Sequence, residues 1–577
     1  MNPLRTTRAL AAAAACTLLA GCVQMPSEGP VVEPKASADV DELPGFAFDP
    51  RPPQSGASAE EIVAGFLEAM RATPVSTTVA RQFLSGDAAD DWKPEQQIIT
   101  YSELGTASSG TTVRIPMTDV NLYDARGAWE RTQASRALGL GLVEEDGEWR
   151  IDEVPDALIV PDSWFDDWYE RVSLYFFDPT SEVLVPEPVF VPRGDQFASA
   201  LVRGLLMAPA EDDADIVRSY FPPGARGLSV PITSGGIAEV ALSGDPDAVD
   251  QDTADRMLAQ LVWTLKQDER VNAVQLSIGG QAISFQDGSS LVNLGVGSGY
   301  DPNGARATSD LFALDRGRVV AGAIGSFQET LGPFGRQDLG IRAIGLSLDG
   351  ARVAAVSGTG SELYVAPTEA PDGESTGVVG GAVDLAPPAW DYRDRIWVLD
   401  RGAGRARVVL VVDGIARVED VPGISGRPVS KLLVSRDGSR LVAVVRGDEK
   451  DRVVATRVRH DESGGVVGFT PVQTLRLPPE DGPRVRDIGW RSPTTVSVLS
   501  IADDFSQVRT LSVDGAPGEI SGGGTIRLRE RIRRLVSSPV DLSEVYGVAG
   551  RTVVDLTRPE RSVPDLPRGL SSLTYSG

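Results

Sequence analysis

The chain has 577 residues, enough for about three or four domains, and carries 81 acidic residues against 55 basic ones for a formal net charge of −26. That balance argues against a nucleic-acid-binding face, which needs clustered Lys and Arg, and against adsorption to anionic lipid heads. One histidine, His460, and two cysteines, Cys16 and Cys22, exclude a two-histidine metal site and a cysteine–histidine dyad, and a serine triad would have to use His460 itself.

At the N-terminus, Arg5 and Arg8 precede an apolar, Ala-rich run from Ala9 to Ala20. A bilayer span needs about 20 such residues, so this shorter run reads as the h-region of a secretory signal. No later stretch is apolar and long enough to span. The run ends in Leu19-Ala20-Gly21-Cys22, which resembles the bacterial lipobox. The resemblance implies cleavage after Gly21, a diacylglycerol thioether on the Cys22 sulfur and an acyl chain such as palmitate on the new amino group. A thiolate is the side-chain nucleophile suited to that transfer. Two or three acyl chains anchor firmly, at roughly 0.8 kcal/mol per buried CH2, where one chain binds only marginally. The expected location is the extracytoplasmic face of the cell membrane. With residues 1–21 removed as a lipoprotein signal peptide and Cys22 lipidated, no disulfide remains, and stability must come from hydrophobic cores.

Residues 22–57 read as the lipidated cysteine and a disordered tether, because Pro26, Pro30, Pro34, Pro44, Pro50, Pro52 and Pro53 oppose regular structure. As a coil it spans about 30 Å. Residues 58–165 read as an α+β unit. Ser58-Ala59-Glu60-Glu61 fits a capping box, and Ile62, Val63, Phe66, Leu67 and Met70 follow at helical spacing. A short helical stretch over Val79–Leu84 and period-two segments at Thr111–Met117 and Gly147–Ile151 follow. Helix first, then a curved antiparallel sheet, looks like an NTF2-like cone. The aromatic run Ser163-Trp164-Phe165-Asp166-Asp167-Trp168-Tyr169-Glu170 is read as glue between two domains, with a surface for a partner as the alternative. Residues 170–285 form an α/β unit in the order strand (Arg171–Phe177), helix (Phe197–Leu206), a Phe221-Pro222-Pro223-Gly224 turn entering a strand, strand (Ile237–Ser243), helix (Met257–Leu265) and strand (Val274–Ile278). This order resembles the GerMN domain, which offers no catalytic motif to transfer.

Residues 305–577 change character, with short β-rich runs between turns. Leu346–Val356 matches Val434–Val444 about 88 residues later, two blade lengths of about 44. Similar turns recur at Trp390–Arg395, Trp490–Pro493 and Ser537–Asp541, so five copies of a blade-length period of a C-terminal β-propeller are visible, with the number of blades left open. Asp310–Leu314 is an additional edge, and Leu573-Thr574-Tyr575 is expected to close the ring. The Ser-x-Asp-Gly turns are expected to be local devices, with Asp capping its own turn and Gly taking positive φ. Trp390 and Trp397 are expected to pack between blades. His460, beside Asp461-Glu462-Ser463-Gly464-Gly465, reads as a solvated loop histidine.

Lipobox, tether, NTF2-like unit, GerMN-like unit and propeller in this order resemble the LpqB lipoproteins of actinobacteria over essentially the whole chain. The fold class is thus multidomain α+β and all-β. The resemblance implies an accessory protein that contacts the extracytoplasmic domain of a sensor histidine kinase, MtrB-like, and affects cell-wall homeostasis and division. No catalytic, metal-binding or cofactor-binding residue is expected, and Gly21 and Cys22 are the only assigned positions. Two other readings stand beside it. One is a passive binder of cell-wall glycan, with Trp390 or Trp397 stacking on sugars. The other is a glycosidase built on two carboxylates, which needs no histidine.

Overall fold

The computed structural model describes residues 47–577 apart from 109, 208, 210–213, 228, 286–287, 503 and 519–523. Gly21, Cys22 and the first part of the tether lie outside the described residues. Docked chain begins before Ser58. Phe48 bridges Thr73, its N–H donating to Thr73 Oγ1 at 2.7 Å, and the Gly56 N–H reaches Glu148 Oε2 at 2.8 Å. Within the stretch read as tether, the chain from Phe48 is thus hydrogen-bonded to the first unit although most of it, Phe48 included, is exposed.

Helix α1 (Ala59–Ala69) starts where its capping box dictates. Ser58 Oγ accepts from the Glu61 N–H at 3.3 Å, and Glu61 Oε2 accepts from the Ser58 N–H at 2.8 Å. Its buried face, Ile62, Val63, Phe66 and Leu67, packs on one sheet. That sheet holds β1 (Ile98–Tyr101), β2 (Glu103–Leu104), β3 (Thr112–Tyr123), β4 (Trp129–Glu145), β5 (Glu148–Glu153) and β6 (Leu158–Pro161), in the order β5-β4-β3-β1-β6 with β2 beside β3. Val113, Ile115 and Met117 alternate inward along β3 and fill the face toward α1. Helix α2 (Gly86–Asp91) lies at the edge, and helix α3 (Asp162–Trp168) carries the aromatic run onward.

The second unit opens with the hairpin β7 (Tyr169–Phe177) and β8 (Leu184–Pro192), paired from Tyr169–Pro192 to Phe177–Leu184. Helix α4 (Phe197–Leu206) packs on it. A right-sized crossover follows: β9 (Ile237–Leu242) runs parallel to β10 (Ala273–Ile278), joined by α5 (Gln251–Leu265), whose N-cap Asp250 accepts from the Thr253 N–H at 2.8 Å. Strands β11 (Gln281–Ile283) and β12 (Leu291–Asn293) pair with β10. Where a strand is expected after Gly224, the described residues make isolated bridges, Gly227 to Leu242 and Ile232 to Ala238. The rings of α3 do join the two units: Phe165 stacks on Tyr169 at 4.6 Å, and Tyr123 meets Phe190 edge-on at 5.1 Å.

The remaining strands form six sheets around a ring. The innermost strands are Leu570–Tyr575, Ile341–Leu346, Ala389–Trp390, Val429–Val434, Val485–Ser492 and Arg534–Val536, and each contacts the next until the last meets the first. The five turns read from the sequence fall one per blade in the second to sixth blades. The first blade is composite: Leu311–Asp315 pairs with Leu570–Tyr575, in register Leu311–Tyr575 and Phe312–Thr574. The segment taken as an additional edge is thus the second strand of that blade, and the closing strand stands where it was expected. Both Ser-x-Asp-Gly turns are local. Asp349 Oδ1 accepts from Ser347 Oγ at 2.6 Å and from the Ala351 N–H at 3.0 Å, and Gly350 has φ 71°. Asp437 repeats this with Ser435 and Ser439, beside Gly438 at φ 69°.

Trp390 and Trp397 are each 1% exposed. Trp390 Nε1 donates across to Gly345 O of the preceding blade at 3.2 Å, and Trp490 Nε1 donates to Val434 O in the same way at 2.8 Å. The first tie requires glycine, because a Cβ on Gly345 would lie 2.0 Å from Pro388 O. Among the described residues no helix is long and apolar enough to cross a membrane.

Candidate partner-binding groove

Ion pairs fix the second unit against the propeller. Glu187, on β8, accepts from Arg457 Nη2 at 2.6 Å, Arg457 Nη1 at 2.9 Å and Arg440 Nη2 at 3.0 Å. Burial pushes its carboxyl up, but the two guanidinium groups outweigh that and hold it below the ordinary value. Asp178 accepts from Tyr392 Oη at 2.7 Å, Arg393 pairs with Glu182 at 2.5 Å, and Arg459 pairs with Asp215 at 2.5 Å. His460 lies in this junction. It is 4% exposed, its backbone N–H donates to Asp215 O at 2.7 Å, and its ring Nε2 has no hydrogen-bond partner. The expectation of a solvated loop histidine is therefore corrected. His460 ends a strand, Arg452–His460, and the second unit covers it.

Toward the C-terminal end of β8, the first and second units leave a groove of about 250 Å³. Its floor is Ile98 and Leu158 from the first sheet and Tyr169, Phe190 and Val191 from the hairpin, with Ala200 on α4 as one wall. The floor is apolar because β7 and β8 alternate and present these rings away from the core of the second unit. Burial raises the Tyr169 hydroxyl well above its usual range, so it stays protonated. Arg171 sits 4.6 Å over the Phe190 ring and reaches Pro517 O of the propeller at 3.0 Å, which holds the floor rigid. The rim is polar: Glu95, Gln196, Arg203 and the pair Asp124–Arg126, joined at 2.9 Å. Gln196 Nε2 donates to Val75 O at 3.0 Å and ties the two lips together.

No pattern in the sequence pointed to this groove. Its lining is drawn from segments between Val75 and Arg203, and each segment alone reads as ordinary core. The one available signal was the aromatic run ending at Tyr169. The assigned positions Gly21 and Cys22 are outside the described residues, and Trp390 and Trp397 present no face to a ligand.

Comparisons with known proteins agree with this architecture. Residues 52–166 match the family model "Lipoprotein LpqB, N-terminal domain", residues 317–530 match "Lipoprotein LpqB beta-propeller domain", and residues 173–284 match "Sporulation and spore germination". Lipoprotein LpqB of Thermobifida fusca (strain YX) is 27% identical, over 90% of this chain and 92% of the relative. Lipoprotein LpqB of Streptomyces coelicolor is 28% identical, over 87% of this chain and 88% of the relative. Among solved structures, the first GerMN domain of the sporulation protein GerM from Bacillus subtilis is similar at 18% identity and TM-score 0.18, covering 21% of this chain and 96% of that one. A lipoprotein family implies anchoring in the cell envelope. With two LpqB-specific models spanning more than half of its length and relatives aligned nearly end to end, the chain belongs to the LpqB lipoprotein family.

Proposed function

We propose that this chain is a non-enzymatic binding protein, held by lipid on the extracytoplasmic face of the membrane, that docks the extracytoplasmic domain of an MtrB-like sensor histidine kinase. The groove between the first two units carries the proposal. Its 250 Å³ is below the roughly 300–1,000 Å³ of small-molecule sites, but it suits one or two apolar anchor side chains of a protein partner. The charged rim then supplies register and selectivity. Regulation follows only if the two states of the kinase bind unequally.

The test is binding between the purified chain and the kinase domain. Ala200→Trp fills the groove, and Arg203→Glu reverses a rim charge on an exposed turn of α4. Each is expected to weaken binding about tenfold or more, as loss of an anchor contact does. Wild-type affinity in both variants rejects the groove as the contact, and no binding by the unaltered chain rejects the kinase as partner.

A further inference from the structure

Where the fifth and sixth blades meet, the propeller holds a cavity of about 500 Å³. Among the described residues its wall carries four arginines, Arg446, Arg486, Arg531 and Arg533, against a single carboxylate, Asp504. In a chain with a net charge of −26, this is an inverted local balance. The second unit holds the propeller through Arg393 and Arg440, at the turns that follow the innermost strands. Arg486 and Arg533 stand where the innermost strands of the fifth and sixth blades begin, and so at the opposite end of the ring.

Short local patterns bring the arginines together. The strand Val485–Ser492 alternates at its start, with Val485 and Asp487 buried and Arg486 exposed between them. Ile532 is 1% exposed, and its N–H donates to Ser506 Oγ at 2.9 Å, which sets the exposed Arg531 and Arg533 on either side of it and next to Phe505. Asp487 Oδ2 accepts from the Leu535 N–H at 2.9 Å, so the two strand starts lie side by side. Arg446 reaches them from the fourth blade: its Nη1 pairs with Asp451 and donates to Val485 O at 2.8 Å. Arg531 Nη2 is 3.9 Å from Asp504 Oδ1, and both side chains are more than four-fifths exposed, so that pair holds little. Arg486 and Arg533 make no ion pair and no side-chain hydrogen bond among the described residues. Like charges crowded into one concave site raise its potential and draw an anion in.

Phe505, 41% exposed, and Ile501 give the same cavity an apolar side. Its volume lies within the roughly 300–1,000 Å³ of small-molecule sites. One guanidinium fork fills a carboxylate, whereas a terminal phosphate, with three oxygens and close to two charges, accepts from several. We infer that this cavity binds a small organic phosphate, its phosphate held by Arg486 and Arg533 with Arg531 at the rim, and its carbon skeleton against Phe505. Arg446, fixed by Asp451 and Val485 O, is the preformed part of the wall. The inference is independent of the groove and of the kinase.

Calorimetric titration of the detergent-solubilised full chain with phenyl phosphate tests it, with inorganic phosphate and benzoate as the comparison ligands and detergent alone as the blank. The expected result is saturable binding of one phenyl phosphate per chain, at least tenfold tighter than benzoate and severalfold tighter than inorganic phosphate. Arg533→Met and Arg486→Met are each expected to weaken phenyl phosphate binding at least tenfold. Both side chains are exposed, and either variant alone keeps the test valid if the other fails to fold. Phe505→Ser is expected to retain phosphate and to abolish the preference for its phenyl ester. Absence of saturable binding, benzoate binding as tightly as phenyl phosphate, undiminished binding in the folded arginine variants, or an unchanged phenyl preference in Phe505→Ser each overturns the inference.

Discussion

At pH 7 the His460 imidazole is uncharged, because burial in the junction and the nearby Arg395 guanidinium push its pKa down to about 4. In the unfolded chain the same group titrates near 6.5. As pH falls from about 6.5 to 4, the unfolded chain therefore takes up the proton first, and stability is lost over that window; above it, His460 has no effect on the pH dependence. The loss at pH 4 is about 3 kcal/mol. Because the chain has one histidine, its imidazole NMR signal is unambiguous, with an expected midpoint near the low value. His460→Gln is expected to remove most of the stability difference between pH 7 and pH 4.5 in denaturant titrations. The residue was misread from sequence for a physical reason. Its neighbours Arg459, Asp461 and Glu462 are polar, whereas what buries it comes from the region of Asp215, far away in the chain. Asp437 was read correctly because its partners, Ser435 and Ser439, are within two residues.

Among the elements, β8 has the most demanding position. One end of it supplies Phe190 and Val191 to the groove, and the other places Glu187 between two arginines of the propeller. Glu187→Ala leaves Arg440 and Arg457 facing each other without the carboxylate they share. The expected cost is about 3 kcal/mol, the low end for a broken buried pair because Glu187 keeps some solvent access. Calorimetry is expected to show the propeller melting separately from the rest, and limited proteolysis is expected to cut near the junction. Glu187→Gln keeps the shape and is expected to fall between. Since its carboxyl is held below the ordinary range, the contribution of Glu187 is complete above about pH 4.5 and disappears as pH falls through the lowered value. Elements of this kind were legible in the sequence wherever periodicity is local: the capped α1, the crossover β9-α5-β10 and the turn of each blade. The groove was not, because it is made of residues contributed singly by several elements that meet only after packing.

For the molecule as a whole, the composite first blade is the joint on which the ring depends. Removing residues 570–577 uncovers Leu311, Ala313 and Phe312 and leaves Arg436 without Ser576. The propeller is expected to lose its cooperative melting transition, with increased binding of hydrophobic dyes. The first two units, whose cores are almost entirely their own, are expected to keep theirs. The same joint also imposes an order in time. Leu311 and Tyr575 lie at opposite ends of the propeller sequence, so every other blade can pair with its own neighbours while the first still has an unpaired edge. Contacts this distant in sequence form slowly, and an open edge in the interval invites pairing with another chain. Folding of the ring therefore finishes at its seam, and the period of greatest aggregation hazard lasts until the strand at 570–575 has been made and has found its place.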